Sequence, residues 1–253
     1  MEKLVIIPTY NEKENIKDIL AAVFALKGDF HVLVIDDGSP DGTAQIVKDL
    51  QLKYAGQLFI EERTGKLGLG TAYIHGFKWA LTKGYNFVFE IDADFSHNPD
   101  DLPRLYDACK NKGADVAIGS RYTIYGGVID WPWERIALSK GASLYTRMIT
   151  WMPVKDPTAG FICYKREVLE AINLDAISFV GYAFQIEMKF AAWKLGFKIV
   201  EVPIIFRDRT SGTSKMNKGI VKEGILGVLK LRWQSLFKNY RKKLRNTEFS
   251  TSS

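Results

Sequence analysis

Asp92 and Asp94, one residue apart, close the apolar run Tyr85 to Ile91. Two carboxylates leaving a strand together repel each other unless water or a cation lies between them. A Mg²⁺ or Mn²⁺ ion gives that compensation and can also hold two oxygens of a diphosphate. The chain is expected to turn here, one Asp binding directly and the other acting through water or on a sugar. Asp-X-Asp alone equally fits a solvated strand-end turn, so other loops must support the chemistry.

Three loops do. Asp36-Asp37-Gly38-Ser39 follows the apolar run Val32 to Ile35. Its carboxylates can accept hydrogen bonds from a base or ribose, or cap a helix beginning near Asp41. Pro8-Thr9-Tyr10-Asn11-Glu12 follows Leu4 to Ile7. Pro8 fixes the strand exit, Tyr10 can flank a base and Glu12 can accept base or ribose donors. Lys66-Leu67-Gly68-Leu69-Gly70 sets a cation and flexible backbone before a helix, whose N-terminus favours anions. This segment lacks the Gly-Lys-Ser/Thr ending of a mononucleotide loop and the glycine fingerprint of a dinucleotide site.

The elements that must carry these loops alternate. Leu4 to Ile7 and Val32 to Ile35 are apolar on both faces, as parallel strands under helices are. Ile16, Ile19, Leu20, Val23 and Phe24 return at helical spacing, as do Ile46, Val47 and Leu50. Further strands are expected at Leu58 to Ile60, Tyr85 to Ile91, Ala114 to Ile118 and Lys198 to Val202. Helices are expected over Gly70 to Leu81, Pro99 to Lys112, Arg135 to Trp151, Phe179 to Leu195 and Gly219 to Phe237, with a long loop over Tyr122 to Trp133. The fold class is α/β: a mainly parallel central sheet flanked by helices, with ligand loops at the strands' carboxyl ends.

Composition agrees with an ordinary globular protein. The 253 residues are 47% hydrophobic and 25% charged, enough for one large domain or two small ones and unlike a disordered chain. The formal charge of +6 favours anionic partners without choosing among them. Cys109 and Cys163 are too few for a disulfide framework and are expected to be buried. Neither a signal peptide nor ~20 consecutive apolar residues is present, so a cytoplasmic protein with peripheral membrane contact is expected.

The order of these motifs resembles that of inverting family-two glycosyltransferases of the GT-A type. The closer resemblance is to the polyprenol-phosphate (dolichol-phosphate) mannosyltransferases, over roughly residues 3–218. Gly119-Ser120-Arg121-Tyr122, Asp156-Pro157-Thr158-Ala159-Gly160-Phe161 and Arg209-Thr210-Ser211-Gly212-Thr213-Ser214-Lys215 sharpen it. The resemblance implies a GT-A catalytic domain over 1–218, an amphipathic and basic helical extension over 219–245, and a flexible tail over 246–253.

It also implies roles. Pro8, Tyr10, Glu12 and Asp37 would surround the nucleoside, with Lys66 and Gly68 nearby. Asp92 and Asp94 would hold the divalent metal and diphosphate, and Ser96 would complete the metal shell through water. Arg121, Arg135, Ser139, Arg209 and Lys215 would surround the donor diphosphate or acceptor phosphate, with Arg135 and a helix-starting Ser139 on one helical face. Asp156 is expected to support the metal shell or the turn before Gly160 rather than act in catalysis directly.

The implied reaction is inverting transfer of mannose from GDP-mannose to a polyprenyl phosphate. Alternatives are another donor such as UDP-glucose, another acceptor, or a nucleotide-sugar-binding scaffold without activity. A phosphate acceptor, largely dianionic near neutrality, needs no histidine base, and His97 is expected to support the turn. Tyr122, Tyr125, Trp131, Trp133 and Trp151 suit a wet apolar boundary. The basic stretch 238–245 could approach anionic lipid heads once Ile225, Leu229 and Trp233 bury one face of the last helix, or a membrane-anchoring partner could assist. Nucleic-acid recognition motifs are absent.

Overall fold

The protein structure, a computed structural model, describes residues 1–181, 183–208 and 218–242. Its centre is a seven-stranded sheet built from β1 (Lys3–Thr9), β2 (Phe30–Asp36), β3 (Leu58–Glu62), β4 (Phe87–Glu90), β5 (Val116–Ser120), β7 (Ile162–Lys165) and β8 (Ile199–Pro203). The strand order is β3-β2-β1-β4-β7-β5-β8. Every pairing is parallel except the two made by β7. A separate parallel pair joins β6 (Gly127–Ile129) to β9 (Ile205–Arg207).

Alternate strand residues feed two apolar layers. Leu4, Ile6, Leu33 and Ile35 pack into one, and Val5, Ile7, Val32 and Val34 into the other. Each fully buried side chain of this kind contributes roughly 1.5–3 kcal/mol. The helices α1 (Ile16–Ala25), α2 (Thr43–Gln51), α3 (Leu69–Lys83) and α4 (Leu102–Lys110) connect the parallel strands. A 3₁₀ turn, Pro99–Asp101, precedes α4 and is capped by the Asn98 side chain, so the helix expected from Pro99 is divided in two.

Other expectations shift. The fifth strand runs to Ser120 rather than Ile118. The stretch Tyr122 to Trp133 is not a loop throughout, because it contains β6. The helix α5 (Trp133–Thr150) starts two residues early, which puts Ser139 in its second turn instead of at its start. Strand β7 had no expectation of its own. It is followed by α6 (Arg166–Ala171), α7 (Ala183–Lys194) and α8 (Lys218–Gln234).

The antiparallel β7 matters for the site. Parallel strands send their carboxyl ends to one edge, where Thr9 lies beside Asp36 and Ile6 beside Glu90. Because β7 runs the other way, its beginning lies at that same edge, with Ile162 opposite Glu90 and Ile118. The segment 156–161, which precedes β7, therefore joins loops that follow the other strands.

Candidate active site

At the ends of β1 and β2 the two loops are stapled together. Thr9 Oγ1 donates to Asp36 at 2.8 Å, and Ser39 donates to Asp36 through both its backbone and its hydroxyl. The amides of Asn11 and Glu12 donate to Ser39 Oγ and Thr43 Oγ1, each at 3.0 Å. Asn11 has φ 59°, which turns the chain back toward β2. Asp37 accepts from Arg63 Nε at 2.7 Å and from the Leu67 amide at 3.2 Å. That carboxylate fixes the glycine loop, and Lys66 Nζ lies 4.8 Å from the centre of the Tyr10 ring. Gly68, at φ 99°, takes a conformation that strains any side chain, and a Cβ there would crowd Val180 at 3.2 Å.

The acidic turn starts where β4 ends at Glu90. Asp94 and Ser96 are buried, Asp92 is partly exposed, and the Ser96 amide donates to Asp94 at 3.1 Å. Phe95 takes φ 57° and sharpens the turn. Glu90, buried beneath and bonded to Gln185, is pushed up to about 8 by burial, with Asp92 adding to the rise. Carboxyl groups thus crowd one strand end, with Glu90 mostly protonated near pH 7, and the donors are oxygens, the type that suits Mg²⁺ or Mn²⁺. Among the described residues no three His, Cys, Asp or Glu side chains form a closed metal site, so a cation here would take its remaining ligands from water and substrate oxygens.

Across the turn lies a second cluster. Arg121, nearly buried, donates through Nε and Nη2 to the two oxygens of Asp156 at 2.7 and 2.6 Å, and through Nη2 to Thr158. Burial alone would lower the guanidinium pKa, yet Asp156 raises it; burial would raise Asp156, yet Arg121 holds it below the usual carboxylate range. Attraction within this fork offsets the desolvation of two charges. The rings of Tyr122, Trp131 and Phe206 stand 5.2–5.6 Å from the guanidinium. Trp131 also carries Arg135 at 3.9 Å over its face, and Arg135 pairs with Asp208 at 2.7 Å. Ser139 accepts from the Tyr122 hydroxyl at 2.6 Å.

The two clusters meet at His97. Its ring lies 5.1 Å from both Phe161 and Phe206, and Phe206 in turn touches Trp131. Asp94, Arg121 and Asp156 all act electrostatically on His97, although burial dominates and pushes it down to about 4. It is a neutral packing ring near pH 7. The acidic turn and the Arg121–Asp156 pair therefore flank one buried ring. An open groove of about 1060 Å³ takes in Phe95 and Ser96 of the turn and extends toward Glu14, Arg104 and Arg207, but Asp92, Asp94, Arg121 and Arg135 do not line it.

The Glycosyl transferase family 2 profile matches residues 4–172. The chain is 48% identical over 225 residues to the polyprenol monophosphomannose synthase of Mycolicibacterium smegmatis, covering 89% of this chain and 84% of that protein. It is 44% identical over 240 residues to the undecaprenyl-phosphate mannosyltransferase of Micrococcus luteus, covering 93% and 98%. The chain is a family-two glycosyltransferase of the polyprenol-phosphate mannosyltransferase group. A solved glucosyl-3-phosphoglycerate synthase from Mycobacterium tuberculosis, bound to Mn²⁺ and UDP, shares the GT-A-like fold at TM-score 0.66 and 18% identity over 91% of this chain and 79% of that one.

Within this transferase the fold gathers Tyr10 with Lys66, Asp92 with Asp94 and Ser96, and Arg121 with Arg135 and Ser139. Arg209 and Lys215 lie outside the described residues. The expectation for the last helix is corrected. Leu229 and Trp233 are exposed, while Val228 and Leu231 are buried; the Ile225 side chain lies outside what is described. Nor is the stretch from Lys238 all free surface: Lys238 pairs with Glu187, Tyr240 is buried, and the Lys242 amide bonds Ala171. Residues 243–245 lie outside the described part. Sequence reading missed Arg63, Trp131 as a platform for Arg135, Phe206 and Asp208. Only the aromatic cluster around Trp131 left a signal in the sequence.

Proposed function

We propose that the protein transfers mannose from GDP-mannose to a polyprenyl phosphate, with inversion at the anomeric carbon, in peripheral contact with the cytoplasmic face of a membrane. The observation that carries this reading is the closeness of the acidic turn to Arg121 across His97 and Phe206, with Arg135 beside Arg121 on the Trp131 ring. The names of the two relatives supply the mannosyl and polyprenyl parts. A mannosyltransferase from Pyrobaculum calidifontis solved with GDP-Man and Mn²⁺ has the same fold at TM-score 0.53 and 17% identity, over 92% of this chain and 73% of that one.

In this reading Tyr10, Glu12 and the loop pinned by Asp37 receive the nucleoside, with Pro8, Lys66 and Gly68 shaping its surroundings. Asp92 and Asp94, with Ser96 through water, would hold Mg²⁺ or Mn²⁺, which supplies positive charge to the departing diphosphate. Arg121, oriented by Asp156, and Arg135 with Ser139 draw in the acceptor phosphate against its repulsion from the donor; Arg209 and Lys215 are assigned to the same task. The acceptor oxygen forms the new bond to the anomeric carbon as the bond to the nucleoside diphosphate breaks on the other side. The leaving group is already anionic, so charge stabilisation replaces an acid.

Incubation with polyprenyl phosphate, Mg²⁺ or Mn²⁺ and a panel of GDP- and UDP-sugars tests it. The expected product is a β-linked mannosyl phospholipid from GDP-mannose, identified by mass and by the NMR coupling of the anomeric proton. Transfer from UDP-glucose alone would replace the donor assignment, and absence of product with every donor would overturn the reading.

A further inference from the structure

Helix α3 begins at the glycine loop without a side-chain cap. Its N-cap is Gly68, which has nothing to offer the unpaired amides of the first turn. An acceptor comes from elsewhere in the chain: the Gly70 amide donates to the Val180 carbonyl at 2.8 Å. The approach is close enough to demand glycine, since a Cβ on Gly70 would lie 2.8 Å from the Phe179 carbonyl oxygen and from the Phe184 ring. Residues 178–180 thus form a strap against the start of α3, while Asp37 holds the same loop through the Leu67 amide.

The strap is itself tied down by a buried charge. Glu187 of α7 is fully buried, and one of its oxygens accepts from the Ser178 and Phe179 amides at 2.8 and 3.0 Å. The other accepts from Lys238 Nζ at 2.6 Å, and the same ammonium donates to Ser178 Oγ at 2.7 Å. A carboxylate removed from water needs such partners: the amides satisfy one oxygen, and the ammonium supplies the counter-charge at the other. The Lys238 side chain is only 16% exposed and comes from the segment after α8. Helix α8 also closes on the strap, for a Cβ on Gly227 would crowd the Phe179 ring at 3.3 Å.

We infer that Lys238 is a positioning residue for the nucleotide donor, acting through Glu187 and the 178–180 strap on the glycine loop. The ammonium fixes Glu187, Glu187 fixes the strap amides, and the Val180 carbonyl fixes the first turn of α3 beside Lys66 and Gly68. Without Lys238, Glu187 is left as an unpaired buried anion. It then takes up a proton or turns toward water, and in either case its hold on the two amides weakens. The inference deepens the donor reading of the glycine loop and rests on it; the tie between Lys238 and the loop needs no ligand.

Hydrogen exchange of the full chain, beside the variant Lys238→Met, tests that tie directly. The Gly70, Ser178 and Phe179 amides should exchange about tenfold faster in the variant, whereas the Asp37 amide, bonded to the Thr9 carbonyl, should change by less than about twofold. With GDP and Mn²⁺ as the probe, calorimetry should show binding weakened by about fivefold. The KM for GDP-mannose should rise to match, while that for a short-chain polyprenyl phosphate stays within about twofold of wild type. Should Lys238→Met not fold, Lys238→Gln, which removes the charge and keeps a donor, serves the same comparison. Unchanged exchange at Gly70, equal acceleration at Gly70 and Asp37, GDP binding as tight as wild type, or two KM values that rise together would each overturn the inference. If neither protein binds GDP while Gly70 still exchanges faster in the variant, the tie stands and the donor reading alone fails.

Discussion

At the scale of single residues, the site rests on two carboxylates doing different work. Asp94 is buried in a turn fixed by the Ser96 amide, and its charge is what a divalent ion would meet. Asp94→Asn keeps the shape and removes that charge, so transfer is expected to fall by about 100-fold or more. Mannolipid formation across a Mn²⁺ titration checks this, and near-native activity with unchanged metal dependence would refute the assignment. Asp156 is fully buried and meets Arg121 rather than substrate. Asp156→Asn leaves the guanidinium without its counter-charge, and the expected loss is roughly 3–5 kcal/mol in urea unfolding. Arg121→Met/Asp156→Leu removes both charges and should recover much of that stability while remaining inactive. If the double variant were as unstable as the single one, the pair would not owe its cost to an isolated buried charge.

Elements explain which of these features the sequence disclosed. The runs Leu4 to Ile7 and Val32 to Ile35 are buried on both faces, a condition that leaves a continuous apolar signature, so the parallel sheet and the loops following it could be located. Strand β7 is four residues long, and nothing local marks it as antiparallel; yet it brings Asp156 to Arg121. Phe206 and Asp208 reach the site from β9 and its exit, more than 100 residues beyond the acidic turn, a separation that no motif spacing encodes. Helix α8 has apolar residues on two sides, so its period could not say which side is inward. Close helix-to-sheet contact also has a local cause. A Cβ on Gly76 of α3 would lie 2.8 Å from Ile6 of β1. Gly76→Ala should therefore destabilise by about 1–3 kcal/mol. Gly141, in the middle of α5 with no atom within 4 Å of such a Cβ, is the opposite case: Gly141→Ala should stabilise by about 0.5–1 kcal/mol. Thermal unfolding of both variants measures the contrast, and a shift of the same sign in each would refute it.

For the molecule as a whole, the sheet's two apolar layers hold a charged residue that the reaction does not use directly. Lys189 is fully buried on α7, and its Nζ donates to the carbonyl of Ala159 at 2.6 Å and to that of Gln185 at 3.1 Å. It joins α7 to the segment that holds Asp156, while Gln185 from the same helix reaches Glu90 under the acidic turn. Burial pushes Lys189 down to about 8 from an ordinary value of 10.5, against the pull of Glu90 and Asp156. Between those two values the unfolded chain holds a proton that the folded protein has given up. The contribution of Lys189 to stability therefore rises with pH across that window and is level below it. Lys189→Met abolishes the rise, and because burial keeps Glu90 mostly protonated near pH 7, the substitution strands no full anion there. Urea midpoints at intervals from pH 7 to 10 should show wild type gaining on the variant above pH 8. Parallel profiles for the two proteins would mean that the buried amine gains no stability from losing its proton, and that α7 is held against the site by its apolar packing alone.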